Sequence, residues 1–191
     1  SITHELTLTA PTTPSGTVYY YITDNATKPT FSSSTWKTNI TDTTLKRTEG
    51  GTYYAWYYVD PAANYNRIDV TSIGEVKISP ATITVTQQGG LANTLTYTGS
   101  AQTLIKSNAV ISPSGAGTIK FAVTSTNSSA NATWYEYGNT NLKMTNALES
   151  GYYIWCKVDS VKTSNYNSIA AYKVGQVIIN KKAVVIGNGE S

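Results

Sequence analysis

Residues 51–59, Gly-Thr-Tyr-Tyr-Ala-Trp-Tyr-Tyr-Val, and residues 151–158, Gly-Tyr-Tyr-Ile-Trp-Cys-Lys-Val, decide the fold class of this chain. Both stretches are dense in aromatic and β-branched side chains, which favour strands. Successive side chains of a strand point to opposite faces of its sheet. Each stretch is therefore predicted to be an extended strand with one face toward a core.

Alternation assigns the faces of the second stretch. Lys157 is hard to bury without a partner, so its face is predicted to point outward. On the opposite face Cys156 is interpreted as a small buried hydrophobe and not as a nucleophile. The inward set is then Tyr152, Ile154, Cys156 and Val158, and the outward set is Tyr153, Trp155 and Lys157.

The same alternation in the first stretch gives an outer face of a different kind. Residues 18–22 also alternate, and we expect them to lie beside residues 53–59 in one sheet. Val18, Tyr20 and Ile22 point inward with Tyr53, Ala55, Tyr57 and Val59. Five rings then form an exposed aromatic patch: Tyr19, Tyr21, Tyr54, Trp56 and Tyr58. The equivalent outward positions of the second stretch and its neighbour are Lys120, Ala122, Tyr153, Trp155 and Lys157.

Three interpretations of these outward rings stay open. Cross-strand aromatic pairs stabilise a sheet without any ligand. An exposed patch of Tyr and Trp also favours contact with another domain or subunit. The third interpretation is glycan binding, although no cluster of Asp, Asn or Arg is visible beside the rings. The candidate binding residues are Tyr19, Tyr21, Tyr54, Trp56, Tyr58, Tyr153 and Trp155.

The whole chain repeats itself at an offset near 100 residues. The repeat predicts two copies of one domain, residues 1–80 and 81–180, and the first copy lacks its opening strand. Trp36 and Trp134 stand at equivalent positions and are the predicted core tryptophans. Seven blocks match in order: 16–20 with 117–121, 35–36 with 133–134, 45–46 with 142–143, 51–56 with 151–155, 59–60 with 158–159, 64–68 with 165–169, and 74–78 with 175–179.

Residues 181–191 have two interpretations. Residues 183–186 resemble residues 81–85 and so predict the first strand of a further repeat, in a fragment of a longer array. Alternatively they form a strand-donating tail that pairs with a neighbouring molecule, since strand addition to an open sheet edge is a known mode of assembly. Association that survives deletion of residues 182–191 would contradict strand exchange.

The amino-acid composition argues against several classes of protein. The 191 residues carry 13% charged side chains and a net charge of +3, with 15 Tyr and 4 Trp. So many rings argue against a disordered chain, and no apolar run is long enough for a membrane span. The basic residues are scattered, whereas nucleic-acid binders concentrate them in one patch.

Catalytic motifs are absent from the sequence. Cys156 and His4 are single residues of their kinds, which excludes an intrachain disulfide and cysteine-rich metal sites. No phosphate loop, nucleophile elbow or zinc-protease motif is present, and the acidic residues are dispersed. We therefore predict no enzyme, no cofactor and no metal.

Short alternating strands recur throughout each copy. In the second copy they are predicted near residues 82–87, 93–98, 102–111, 117–124, 132–137, 141–145, 151–159 and 170–179. About seven short strands in about 100 residues is typical of an immunoglobulin-like β-sandwich. The prediction is an all-β chain of two tandem immunoglobulin-like β-sandwich domains.

The blocks at 51–59 and 151–158, with the Asn-Tyr-Asn turns at 64–66 and 165–167, resemble bacterial immunoglobulin-like tandem repeats of surface proteins. Related modules occur in phage structural proteins. The resemblance implies a non-catalytic structural or adhesive module of an extracellular bacterial surface protein, a spacer that contacts neighbouring repeats and a protein or glycan partner. Two alternatives stay open: a virion fibre or decoration protein, and the accessory carbohydrate-binding module of a secreted enzyme. The chain departs from the pattern at the missing first strand and at Cys156, where the first copy has Tyr57.

Overall fold

A computed structural model describes residues 15–185 of the chain. The described residues form antiparallel and mixed β-sheets with two short 3-10 helices, Thr43–Leu45 and Thr140–Leu142. The all-β class is therefore confirmed. The chain divides into two compact units, Ser1–Pro80 and Ala81–Ser191.

The first unit is built on one three-stranded antiparallel sheet. Its strands are β1 (Thr17–Thr23), β2 (Gly51–Asp60) and β3 (Ile68–Ile78), in the order β1-β2-β3. A backbone bridge between Tyr20 and Lys37 places the middle of the β1–β2 connection against the free edge of β1.

The second unit has a four-stranded sheet of order β6-β13-β11-β9 and the smaller pairs β5-β8, β10-β7 and β12-β4. A bridge between Phe121 and Tyr135 lies beside β9, as the Tyr20–Lys37 bridge lies beside β1. The strands are β4 (Ala81–Thr82), β5 (Thr84–Gln87), β6 (Leu95–Thr96), β7 (Gln102–Thr103), β8 (Val110–Ser112), β9 (Gly117–Thr124), β10 (Lys143–Met144), β11 (Leu148–Ser160), β12 (Tyr166–Asn167) and β13 (Ile169–Asn180).

The long strands agree with the sequence prediction, and the predicted short strands at 82–87, 93–98 and 141–145 contain β5, β6 and β10. The strand predicted at 132–137 is wrong, because only a bridge at Tyr135 forms there. The strand at 117–124 is confirmed, and those at 151–159 and 170–179 lie inside β11 and β13. The continuous strand predicted at 102–111 is wrong, because β7 ends at Thr103 and β8 begins at Val110. The residues between them still bury Leu104, Ile105 and Ala109 in the core. Apolar residues in this segment therefore enter the core without forming a strand.

The inward faces are confirmed in both units. In the first unit Tyr20, Ile22 and Ala55 are buried with Leu45, and Tyr53 and Tyr57 pack against them. In the second unit the centre of the core includes Phe121, Ile154, Cys156, Val177 and Ile179. Each unit therefore builds its own core from the face that alternation selects.

Cys156 has the environment expected of a small hydrophobe. Its side chain is fully buried among the core residues of the second unit. Burial raises the pKa of the thiol, and the neighbouring Tyr172 hydroxyl opposes this in part. Because the thiolate is the nucleophilic form, this environment disfavours nucleophilic chemistry at Cys156.

The predictions for the two ends of the chain fall mostly outside the described residues. Residues 1–14 and residues 186–191, which include the end of the predicted tail strand, are outside them. Within residues 181–185 no strand is formed, and the side chains of Val184 and Val185 are 90% and 87% exposed.

Candidate functional site

The outer face of the first sheet brings together the five rings that alternation selects. Tyr19 lies opposite Tyr58 across β1 and β2, and Tyr21 lies opposite Trp56. Tyr54 follows on the same face of β2, opposite Thr23. The shared face of these residues is thus as predicted.

The predicted exposure of this face is wrong. Trp56 is only 7% exposed, and the four tyrosines are half-buried. The rings belong to an aromatic cluster, in which Trp36, Trp56 and Val70 are buried and Tyr19, Tyr21, Phe31, Tyr54 and Tyr58 pack against them. The face is a second apolar cluster of the unit rather than an open patch.

Two residues of the β1–β2 connection cover the rings. Phe31 stacks on Tyr58, with 3.8 Å between ring centroids, and meets Tyr19 edge-on at 5.1 Å. Trp36 stacks on Tyr21 at 5.3 Å. The burial predicted for Trp36 is confirmed, since it is 3% exposed.

Strand register explains why Trp36 lies on the outer face. The bridge between Tyr20 and Lys37 is antiparallel, so Trp36 stands opposite Tyr21 and shares its face. Sequence periodicity alone misses this contact because the connection is not a strand. The available signal was the pair of large apolar residues, Phe31 and Trp36, in an otherwise polar segment.

The second unit closes the equivalent face differently. Trp155 lies opposite Ala122 on β9, and the bridge between Phe121 and Tyr135 places Trp134 on the other side of Ala122. Ala122 was predicted to point into solvent, but the flanking indoles leave it 0% exposed. Trp134, a predicted core residue, is only half-buried.

Lysines take the place of rings in this second face. Lys157 Nζ lies 5.3 Å from the ring centroid of Trp134, and Lys173 Nζ lies 4.6 Å from that of Tyr153. Lys120 and Lys157 both contact Asp159, at 3.0 and 3.1 Å. The hydrogen bond from Lys120 and the contacts with Lys157 hold the pKa of Asp159 below its usual range.

One hydrogen-bonded corner is common to the two units. Trp56 Nε1–H donates to Thr23 Oγ1 at 2.9 Å, and that hydroxyl donates to the Asn25 carbonyl at 2.7 Å. In the second unit Trp155 Nε1–H donates to Thr124 Oγ1 at 2.9 Å, and Thr124 donates to the carbonyl of Thr126 at 2.7 Å. The corner fixes the indole of the central strand against the end of its neighbour.

A polar groove opens beside this corner in the first unit. Its volume is about 590 Å³, and its walls come from the end of β1 and from the segment that leads into β2. The sequence showed no Asp, Asn or Arg cluster beside the rings, yet folding brings one together here. The groove is lined by Tyr21, Ile22, Thr23, Asp24, Asn25, Lys46, Arg47, Thr48, Glu49 and Tyr53.

Arg47 joins the two walls of the groove. Its Nη1 donates to the carbonyls of Thr44 and Lys46, both at 2.9 Å, and its Nη2 donates to the Ile22 carbonyl at 3.0 Å. The guanidinium carbon lies 5.5 Å from the centre of the Tyr53 ring. These contacts hold one face of the groove in a fixed position.

The described part of the chain contains no group of three His, Cys, Asp or Glu side chains arranged to hold a metal ion. Over residues 15–185 no helix has the length and apolar character needed to cross a membrane. No family model, curated protein or solved structure matches this chain.

Proposed function

We propose that this chain is a non-catalytic structural and adhesive module of an extracellular bacterial surface protein. The observation that carries the proposal is the corner common to both units, with its indole-to-threonine hydrogen bond of 2.9 Å in each. Both units share this scaffold but differ in the side chains on their surfaces. Such an arrangement is suited to a spacer that also has a binding face. In finer terms, we propose that the two units are tandem immunoglobulin-like β-sandwich domains.

Separate cores support the spacer part of the proposal. The first unit packs Tyr20, Ile22, Leu45 and Ala55 together, and the second packs its own set around Phe121 and Ile154. In repeat proteins each added unit extends the chain by a similar length, and its contacts are mainly with its neighbours.

The groove supports the binding part. Binding sites are generally concave and combine apolar walls with a few fixed polar groups, and the groove has Tyr21 and Tyr53 beside Asp24 and Arg47. The same observation favours, as a second candidate, the accessory carbohydrate-binding module of a secreted enzyme.

The location of the parent protein, on cells, on virions or in the culture fluid, tests the proposal. An antibody raised against the full chain is applied to intact, unpermeabilised cells that express the parent protein, to purified virions from the same culture and to the culture fluid. We expect labelling of the intact cell surface. Labelling of virions alone supports the fibre or decoration alternative, recovery only in the fluid with a catalytic domain supports the accessory module, and labelling only after permeabilisation contradicts all three.

A further inference from the structure

We propose that the groove of the first unit binds a neutral saccharide. This inference rests on the binding part of the proposed function and names the class of ligand. Three features of the groove support this: three of its four charged residues have uncharged counterparts in the second unit, Arg47 and Asn25 are held in place, and its composition matches sugar chemistry.

The equivalent corner of the second unit shows that folding does not require these charges. Tyr53 Oη–H donates to the Glu49 carbonyl, and Tyr152 Oη–H donates to the Asn146 carbonyl, both at 3.0 Å. The scaffold is thus the same, while the side chains on it differ. Asp24, Asn25, Arg47 and Glu49 correspond to Ser125, Thr126, Met144 and Asn146.

Hydrogen bonds fix two of the polar groups, Arg47 and Asn25, before any ligand arrives. Arg47 is held by three backbone carbonyls. Asn25 Oδ1 accepts from the Thr27 N–H at 3.0 Å, and the Asn25 carbonyl accepts from Thr23. Groups that are already ordered lose little conformational entropy on binding, which favours affinity for a small ligand.

The composition of the groove selects a neutral, hydroxyl-rich ligand. The charged residues of the lining are two acidic ones, Asp24 and Glu49, and two basic ones, Lys46 and Arg47. The balance disfavours a strongly charged ligand, whereas carboxylate and guanidinium groups make strong hydrogen bonds to hydroxyls. Tyr21 and Tyr53 are also among the lining residues, and a volume of about 590 Å³ is in the usual range for small-ligand sites.

Amide chemical shifts of the uniformly ¹⁵N-labelled full chain test the proposal. The probes are maltotriose, cellotriose and triacetylchitotriose as neutral sugars, with sialyllactose as an anionic one. We expect at least one neutral trisaccharide to shift the amides of residues 21–25 and 46–49 with a Kd of about 1 mM or below. Residues 122–126 and 143–146 of the second unit should not move.

Substitutions that convert the groove to the second unit's sequence localise the effect. Asp24→Ser should weaken binding of the responding sugar about tenfold, as loss of one charge-assisted hydrogen bond implies. Arg47→Met should abolish the shifts, and the dispersion of the amide spectrum shows whether this variant folds. Asp69→Asn changes an exposed carboxylate of the same unit that pairs with Arg67, and should leave the affinity unchanged.

Three results would overturn the inference. They are no shift in the groove with any neutral trisaccharide, a shift with sialyllactose alone, and equal shifts in the two units. A surface location found with the antibody would leave the proposed function standing in each case, so the two failures are distinguishable.

Discussion

The outer faces of the two sheets share the indole–threonine corner but are covered by different side chains. In the first unit Phe31 and Trp36 cover the tyrosines with other rings. In the second, Lys157 lies over Trp134 and pairs with Asp159, at the solvent boundary. Burial of rings removes apolar area from water, whereas exposed ion pairs contribute little. The outer face of the first unit should therefore stabilise its fold more than that of the second.

The length of one connection accounts for the difference. Trp36 stands thirteen positions after Thr23, and Trp134 stands ten positions after Thr124. The longer connection carries Phe31, which reaches both Tyr19 and Tyr58. At the positions of those two tyrosines the second unit has Lys120 and Lys157, for which Asp159 serves as the partner.

Removal of the covering indole should give the largest effect. Trp36→Ala is expected to lower the free energy of unfolding of the first unit by about 3–5 kcal/mol, as for other buried tryptophans. Trp134→Ala should cost the second unit less, because Trp134 is only half-buried. Hydrogen exchange measured by mass spectrometry on peptides from 51–60 and 148–160 separates the two units. An equal loss in both would contradict the difference between the faces.

The inner faces provide a second comparison. Each unit has a tyrosine there, but the tyrosine belongs to β2 in the first unit and to β13 in the second. Tyr57 lies opposite Thr71 in the first unit, whereas Cys156 lies opposite Tyr172 in the second. Cys156→Tyr should therefore overpack the second core and cost about 1–3 kcal/mol. The double variant Cys156→Tyr, Tyr172→Thr should recover most of that loss in urea denaturation, with Tyr172→Thr alone as the control. Additive losses would show that the two rings do not occupy one space.

Acid should lower the free energy of unfolding of the second unit by a small amount. The folded-state pKa of Asp159 is lowered by Lys120 and Lys157, so its contribution is present above the ordinary carboxyl pKa of about 3.9 and is lost as pH falls below it. At pH 7 Asp159→Asn should cost about 0.2–1 kcal/mol. In urea denaturation this difference from the unmodified chain should vanish near pH 2. Asp60→Asn, at the equivalent position of the first unit, is the control. If the stability difference between Asp159→Asn and the unmodified chain persists in acid, the loss comes from packing and not from charge.

Alternation along the sequence predicted which side chains of each strand point into the core. The inward sets of β1, β2, β9 and β11 follow from alternation, since one face of each strand must be buried. The cover on the outer faces could not be predicted in this way, because Phe31 and Trp36 lie in a connection whose path depends on tertiary contacts. The groove was missed for the same reason. Asp24 and Arg47 are distant in sequence and line one groove only after folding, where Arg47 bonds to the Ile22 carbonyl.

Hydroxyl-radical footprinting of the four tryptophans in the unmodified chain tests the central claim most directly. The claim is that the aromatic face of the first unit is closed and that of the second is partly open. Trp36 and Trp56, at 3% and 7% exposure, should be oxidised more slowly than the half-buried Trp134 and Trp155. Oxidation of Trp56 as fast as that of Trp155, or faster, would contradict the claim and restore the exposed aromatic patch.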